Sequence, residues 1–275
     1  MVGFCLVPSR EPRIIDRVIC PSAVMSQRSV PSEGPPILEI HGAAATIRLC
    51  RPSAHNRIDP DDIGVMREQL REIAVRRGVL AVVITGTGDK TFSSGYTVDA
   101  IVDRLDHGFE ELLDEIEGLP LPTLCALNGS VYGGATDLAL CCDFRIGIRG
   151  TRMFMPAAKF GLHYYPGGLR RYVKALGASH AKRLFLTAQT VRDTEMLRIG
   201  FLTELVERRA LAARVTEYIA ALEQCEPATV KSMKRQIDAI ARGDPGAAQS
   251  RKDYEASLKS EHLKSRLASL SRRRS

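Results

Sequence analysis

Between Thr123 and Asp143 the chain reads TLCALNGSVYGGATDLALCCD, and no other stretch narrows the possible folds as much. An apolar run of strand type, Thr123 to Leu127, ends at the turn pair Asn128-Gly129, and after Gly133-Gly134 the apolar spacing becomes that of a helix. The glycines therefore stand where a helix begins. The first N–H groups of a helix have no internal partner, and the helix dipole adds partial positive charge there. Glycine at such a mouth lets a ligand approach the main chain, because no Cβ intervenes. Asp137 lies one turn inside, on the same face as Gly134. Taken alone, the pattern is equally that of a glycine-rich helix start with an acidic residue favouring the dipole.

A second stretch has the same character. Leu80 to Thr85 is a buried-strand run, Gly86 to Asp89 a turn, and Thr91-Phe-Ser-Ser-Gly-Tyr-Thr97 leads into a helix with Val98, Ile101 and Leu105 as its apolar positions. An outward N–H near Tyr96 joins the one at Gly134. Two such turns can converge on one oxygen, as an oxyanion hole requires.

The pair VITGTGDKTFSSG and ALNGSVYGGATDLALCCDFRIG resembles the two signatures of the crotonase family, the enoyl-CoA hydratases and isomerases, in order and separation. The likeness runs from about Ile37 to about Ile240. It implies an α/β fold, a crotonase-type spiral of ββα units with a helical C-terminal oligomerisation region, and trimers often paired into hexamers. It also implies an acyl-CoA thioester as substrate, with coenzyme A entering as part of that substrate and no permanently bound cofactor. By the same resemblance the N–H groups of Tyr96 and Gly134 form the oxyanion hole for a thioester enolate. The RPxxxN segment, Arg51 to Asn56, would lie along the CoA, with Arg57 as a phosphate contact and Ser94, Gly133 and His163 as further substrate-binding residues.

The chain departs from the two-glutamate pattern of the family's hydratases. Asp137 occupies the first carboxylate position, and Ala157, after Pro156, occupies the second with no titratable group. Hydration needs a base for water and an acid for the α-carbon. Chemistry with one acid/base, such as a double-bond shift or decarboxylation, is the expectation instead, with Asp137 as principal acid/base. Gly161-Leu162-His163-Tyr164 resembles a segment of the methylmalonyl-CoA decarboxylase branch, which makes Tyr164 a second catalytic candidate. The alternative is a catalytically silent relative that binds CoA esters, or RNA through its basic tail. No Walker loop, nucleophile elbow or metal-type cluster is present in the sequence.

Charge bears on that alternative. Of the net +7, the segment 251–275 carries +5, residues 1–36 carry +1, and only +1 is left for residues 37–250. The basicity belongs to a tail, read as a solvated helix end, and a nucleic-acid partner is not expected. No apolar run approaches the ~18 residues of a membrane span. The seven cysteines show no CxxC pair, and several sit in apolar segments, as reduced thiols of a cytoplasmic protein would.

The expected organisation is a disordered, proline-bearing leader over 1–36, a core over 37–205 and a helical region with a basic tail over 206–275. In the leader Arg10, Arg13, Arg17 and Arg28 would fit a transit peptide, Glu11, Asp16 and Glu33 count against one, and Met25 is a second possible start. The pattern predicts strands over 37–41, 43–49, 80–85, 123–127 and 144–148. Helices are predicted from Asp59-Pro60 to about Arg77, over 109–117, from Pro166, and over 178–187, 191–199, 208–223 and 227–241.

Overall fold

The computed structural model describes residues 33–244 and 247–272. The expected leader, apart from its last four residues, lies outside them, as do residues 273–275 of the tail. Antiparallel strands β1 (Ile37–His41) and β2 (Ala44–Leu49) open the fold, and helix α1 (Pro60–Val75) follows with Ile63, Met66, Leu70 and Ile73 buried. That i, i+3, i+7, i+10 spacing places one apolar stripe against the sheet.

Three strand-strand-helix units come next. In the first, β3 (Ala81–Gly86) and β4 (Thr91–Ser93) lead to α2 (Ile101–Arg104) and α3 (His107–Glu117). In the second, β5 (Thr123–Leu127) and β6 (Ser130–Tyr132) lead to α4 (Gly134–Cys141). In the third, β7 (Phe144–Ile148) and β8 (Arg152–Phe154) lead to α5 (Pro166–Thr187). The first strand of each unit joins a six-stranded sheet and the second a four-stranded one, so the chain winds between two sheets as a spiral.

The larger sheet runs β1-β2-β3-β5-β7-β10, with β10 at Glu204–Val206, and is parallel from β2 onward. Its central strands β3 and β5 are buried along their whole length. This is why they read as continuous apolar runs rather than alternating ones. The smaller sheet runs β4-β6-β8-β9, closed by the two-residue strand β9 (Val191–Arg192).

Helices α6 (Asp193–Arg198), α7 (Leu211–Glu223), α8 (Pro227–Ala241), α9 (Ala247–Leu258) and α10 (Glu261–Arg272) complete the chain. Helix α5 breaks at Gly177, whose φ of 75° is open to glycine and costly elsewhere, so the expected helix over 178–187 is its second half. Strands β4, β6, β8 and β10, three residues each, are not in the sequence-based assignment. Such short strands cannot display a period of two. No helix among the described residues is long and apolar enough to cross a membrane. Cys50, Cys125, Cys141 and Cys142 are buried free thiols.

Asn56 pins the loop that leads into the site. Its Nδ2 donates to the carbonyls of Thr87 and Thr91, both at 2.8 Å, and its Oδ1 accepts the Arg51 N–H at 3.1 Å. At 1% exposure these groups have no access to water. Asn56→Ala is expected to lower unfolding free energy by about 2–3 kcal/mol, because buried main-chain groups lose their partners. Urea denaturation with an unchanged m-value checks it.

Candidate active site

Tyr96 stands beside Ile58 in a short parallel bridge. Ile58 N–H donates to the Gly95 carbonyl at 2.8 Å, and Thr97 N–H donates to the Ile58 carbonyl at 3.0 Å. Hydrogen-bonding direction alternates along an extended strand, so the N–H of the intervening Tyr96 faces away from this ladder. Its N–H has no acceptor among the described residues.

Gly133 supplies the second turn. With φ 53° and ψ −134°, a region held essentially by glycine, it donates to the Phe154 carbonyl at 3.1 Å and starts α4. The next N–H, that of Gly134, is the first of the helix and likewise has no acceptor among the described residues. The two turns touch. A Cβ on Gly95, whose φ is 85°, would stand 2.6 Å from the Gly134 nitrogen, and a Cβ on Gly134 would stand 3.6 Å from the Tyr96 nitrogen.

Both residues line one cavity of about 370 Å³. Val98, Ile101, Leu105, Phe109 and Leu162 contribute its apolar wall, Tyr164 and Tyr165 two phenols, and Ala157 a methyl group. Ser94, Gly133 and His163 line it as well. The His163 ring is tied through Nδ1 to the Tyr164 carbonyl at 2.8 Å. Arg57 is set apart from the cavity lining, with its Nε 2.9 Å from Asp59 Oδ1.

Asp137 lies behind the tyrosines. It is fully buried, its Oδ1 accepting Arg171 Nε at 2.8 Å and its Oδ2 accepting Arg171 Nη2 at 3.0 Å. The fork-to-carboxylate fit is the geometry in which guanidinium binds most strongly. The same Oδ2 accepts the Tyr165 hydroxyl at 2.5 Å, with the Tyr164 hydroxyl at 3.4 Å. Burial, then the Asp137 charge, raises both phenols above their ordinary pKa, so both remain neutral donors at working pH. Sequence reasoning passed over Tyr165 and Arg171; Tyr165 follows directly on Tyr164, but nothing local joins Arg171 to Asp137.

The charges continue outward. Arg171 also contacts Asp114 at 2.6 Å and Glu117 at 3.3 Å, and Glu117 binds Arg170 at 2.5 Å. Gly168 permits the arrangement, since a Cβ there would fall 2.2 Å from the Tyr164 ring and 2.8 Å from Asp137 Oδ2.

With this geometry the comparisons with known proteins become specific. The model of the enoyl-CoA hydratase/isomerase family matches residues 39–272. A short-chain-enoyl-CoA hydratase of Clostridium acetobutylicum is 31% identical over 209 residues, which span 74% of this chain and 80% of the relative. A carnitinyl-CoA dehydratase of Citrobacter koseri is 30% identical over 201 residues, 70% of this chain and 76% of the relative. The crystal structure of an enoyl-CoA hydratase from Bacillus anthracis superposes with a TM-score of 0.79 at 21% identity, covering 87% of this chain and 97% of that one. The chain therefore belongs to the enoyl-CoA hydratase/isomerase family of enzymes, and its two-sheet spiral is the crotonase fold.

Two expected outcomes follow from the site. In Gly95→Ala the methyl group would press on the Gly134 amide, and loss of one oxyanion donor typically costs ~10²–10³-fold in kcat; steady-state kinetics on an acyl-CoA the wild type turns over checks this. For Glu117, burial pushes the carboxyl up, but Arg170, Arg171 and Lys174 outweigh it and hold the pKa at about 2 against an ordinary 4.5. A depressed folded-state pKa gives stability that is complete above pH 4.5 and lost as pH falls toward 2. Glu117→Gln should therefore be less stable than wild type by about 3 kcal/mol at pH 7, the gap closing on acidification; paired melts between pH 7 and pH 2 read it.

Proposed function

We propose that the enzyme holds the carbonyl oxygen of an acyl-CoA thioester between the Tyr96 and Gly134 N–H groups while an enolate forms at the α-carbon. One observation carries this reading: two unpaired main-chain donors, on separate turns that touch, face a single cavity. Such preorganised donors stabilise the negative charge that develops on the oxygen, and an apolar wall, once a bound acyl chain displaces water from it, strengthens them. Ser94, Gly133 and His163 would border the thioester arm, and Arg57, on the loop that Asn56 fixes, would meet a CoA phosphate.

With Ala157 at the second carboxylate position, the chemistry favoured is the kind a single acid/base can carry: isomerisation, decarboxylation or a related enolate reaction. Asp137 enters it through Tyr165, whose phenol it orients at the edge of the cavity, and Tyr164 supports that phenol at 3.1 Å. Hydration is the second reading, favoured by the names of the related hydratase and dehydratase. A trimer, or a pair of trimers, is the assembly proposed. Family membership and the exposed apolar side chains Met233, Ile237 and Ile240 of α8 support it.

The test is incubation with a panel of CoA thioesters in deuterated water, reading label at the α-carbon by mass spectrometry. Exchange is expected with at least one short acyl chain, even without net reaction. Tight binding of every thioester with no exchange would instead indicate a silent CoA-ester-binding relative.

A further inference from the structure

The acidic groups around the cavity sort into two kinds. Asp114, Glu117 and Asp137 are bound to guanidinium groups of Arg170 and Arg171. Glu110, on the first turn of α3, is different. It lines the cavity together with Tyr96, Gly134 and Ala157, and no cation pairs with it among the described residues. Its Oε1 accepts the Gly167 N–H at 3.1 Å, and its Oε2 has no hydrogen-bond partner among the described residues. A proton-transfer group must be able to gain and lose its proton within the cycle, and a carboxylate clamped by a guanidinium resists protonation. Glu110 is under no such clamp.

Its placement is built. Phe109, the preceding residue, packs on the start of α4 so closely that a Cβ on Gly134 would lie 3.0 Å from its ring. The Phe109 ring also meets Tyr165 edge-on at 6.5 Å. Helix α3 is thereby docked against the oxyanion turn. On the other side Gly167 makes room, since a Cβ there would stand 2.9 Å from Glu110 Oε1. The remaining titratable groups of the lining are less suited. Asp106 is exposed and caps α3 through the Gly108 N–H at 2.8 Å, His107 is exposed, and His163 is tied to a carbonyl.

We infer that Glu110 is the acid/base of this site, a carboxylate delivered from α3 in place of the one absent at Ala157. This rests on the enolate reading above. In the step assigned to it, the Glu110 carboxylate takes a proton from the substrate α-carbon. The C–H electron pair moves into the thioester as an enolate, whose oxygen the Tyr96 and Gly134 N–H groups hold. Glu110, now a carboxylic acid, returns its proton to the α-carbon, giving exchange, or to the γ-carbon of the dienolate of a β,γ-unsaturated acyl group, moving the double bond to the α,β position. Asp137 and Arg171 are positioning residues in this scheme, acting through Tyr165.

The experiment compares wild type, Glu110→Gln, and Glu110→Gln combined with Ala157→Glu. Each is tested with butyryl-CoA and but-3-enoyl-CoA, both with an sp3 α-carbon, in deuterated water, with thioester affinity measured by calorimetry and folding by thermal melt. Glutamine keeps an oxygen for the Gly167 N–H, so a normal melt and an affinity within threefold of wild type are expected. Exchange at the α-carbon should fall on the order of 100-fold or more, the usual contribution of a general acid/base. The double variant, with a carboxylate restored on another wall of the same cavity, should regain at least tenfold. Should Glu110→Gln fold poorly, Glu110→Asp, which keeps the charge but shortens its reach, should show the same loss. Exchange in Glu110→Gln within threefold of wild type overturns the assignment while leaving the enolate reading intact. Absence of exchange in wild type overturns both.

Discussion

The site depends on two backbones meeting where neither carries a side chain. Gly95 and Gly134 belong to separate strand-strand-helix units, yet a methyl group on Gly95 would press on the Gly134 amide. Only this approach lets two N–H groups, each left without a partner by its own local geometry, face one point. The cost is conformational, since Gly95 and Gly133 hold positive φ values that other residues seldom accept. Sheet pairing offsets it: β4 and β6, the strands leading into the two turns, lie side by side in parallel register.

Behind the turns the structure holds a chain of buried charge. Taking carboxylates and guanidinium groups out of water costs several kcal/mol for each ion and is sustained only by close, hydrogen-bonded pairing. Asp137 meets that requirement with both oxygens on Arg171, and Arg171 meets it again with Asp114 and Glu117. The consequence for function is a division of labour. Groups inside this network are held in place by their ion pairs and suited to orienting others, as Asp137 orients the Tyr165 phenol. Glu110 stands outside it, facing the cavity with no guanidinium paired to it among the described residues.

Much of the architecture is legible in the sequence. Strands β3 and β5 read as near-continuous apolar runs because both faces are covered, and α3 shows its stripe in Phe109, Leu112, Leu113 and Ile116. The three-residue strands of the smaller sheet were not legible, because pairing partners rather than their own pattern define them. The environment of Asp137 was equally hidden. Its partner Arg171 lies 34 residues on, and Glu110 meets Gly167 across 57 residues, separations over which a single chain carries no sign of contact.

The sequence by itself determined that two glycine-bearing turns follow buried strands and open helices, that the second family carboxylate is an alanine, and that the basic charge is concentrated in the tail. These are properties of short windows, in which side-chain size, backbone freedom and charge act locally. Only the tertiary structure decided which carboxylates are neutralised and which phenol meets Asp137. It also decided which side chains share the cavity with the two free amides. Those outcomes depend on how α3, α4 and α5 pack against one another, and the strength of an electrostatic contact is set by distance and by the exclusion of water.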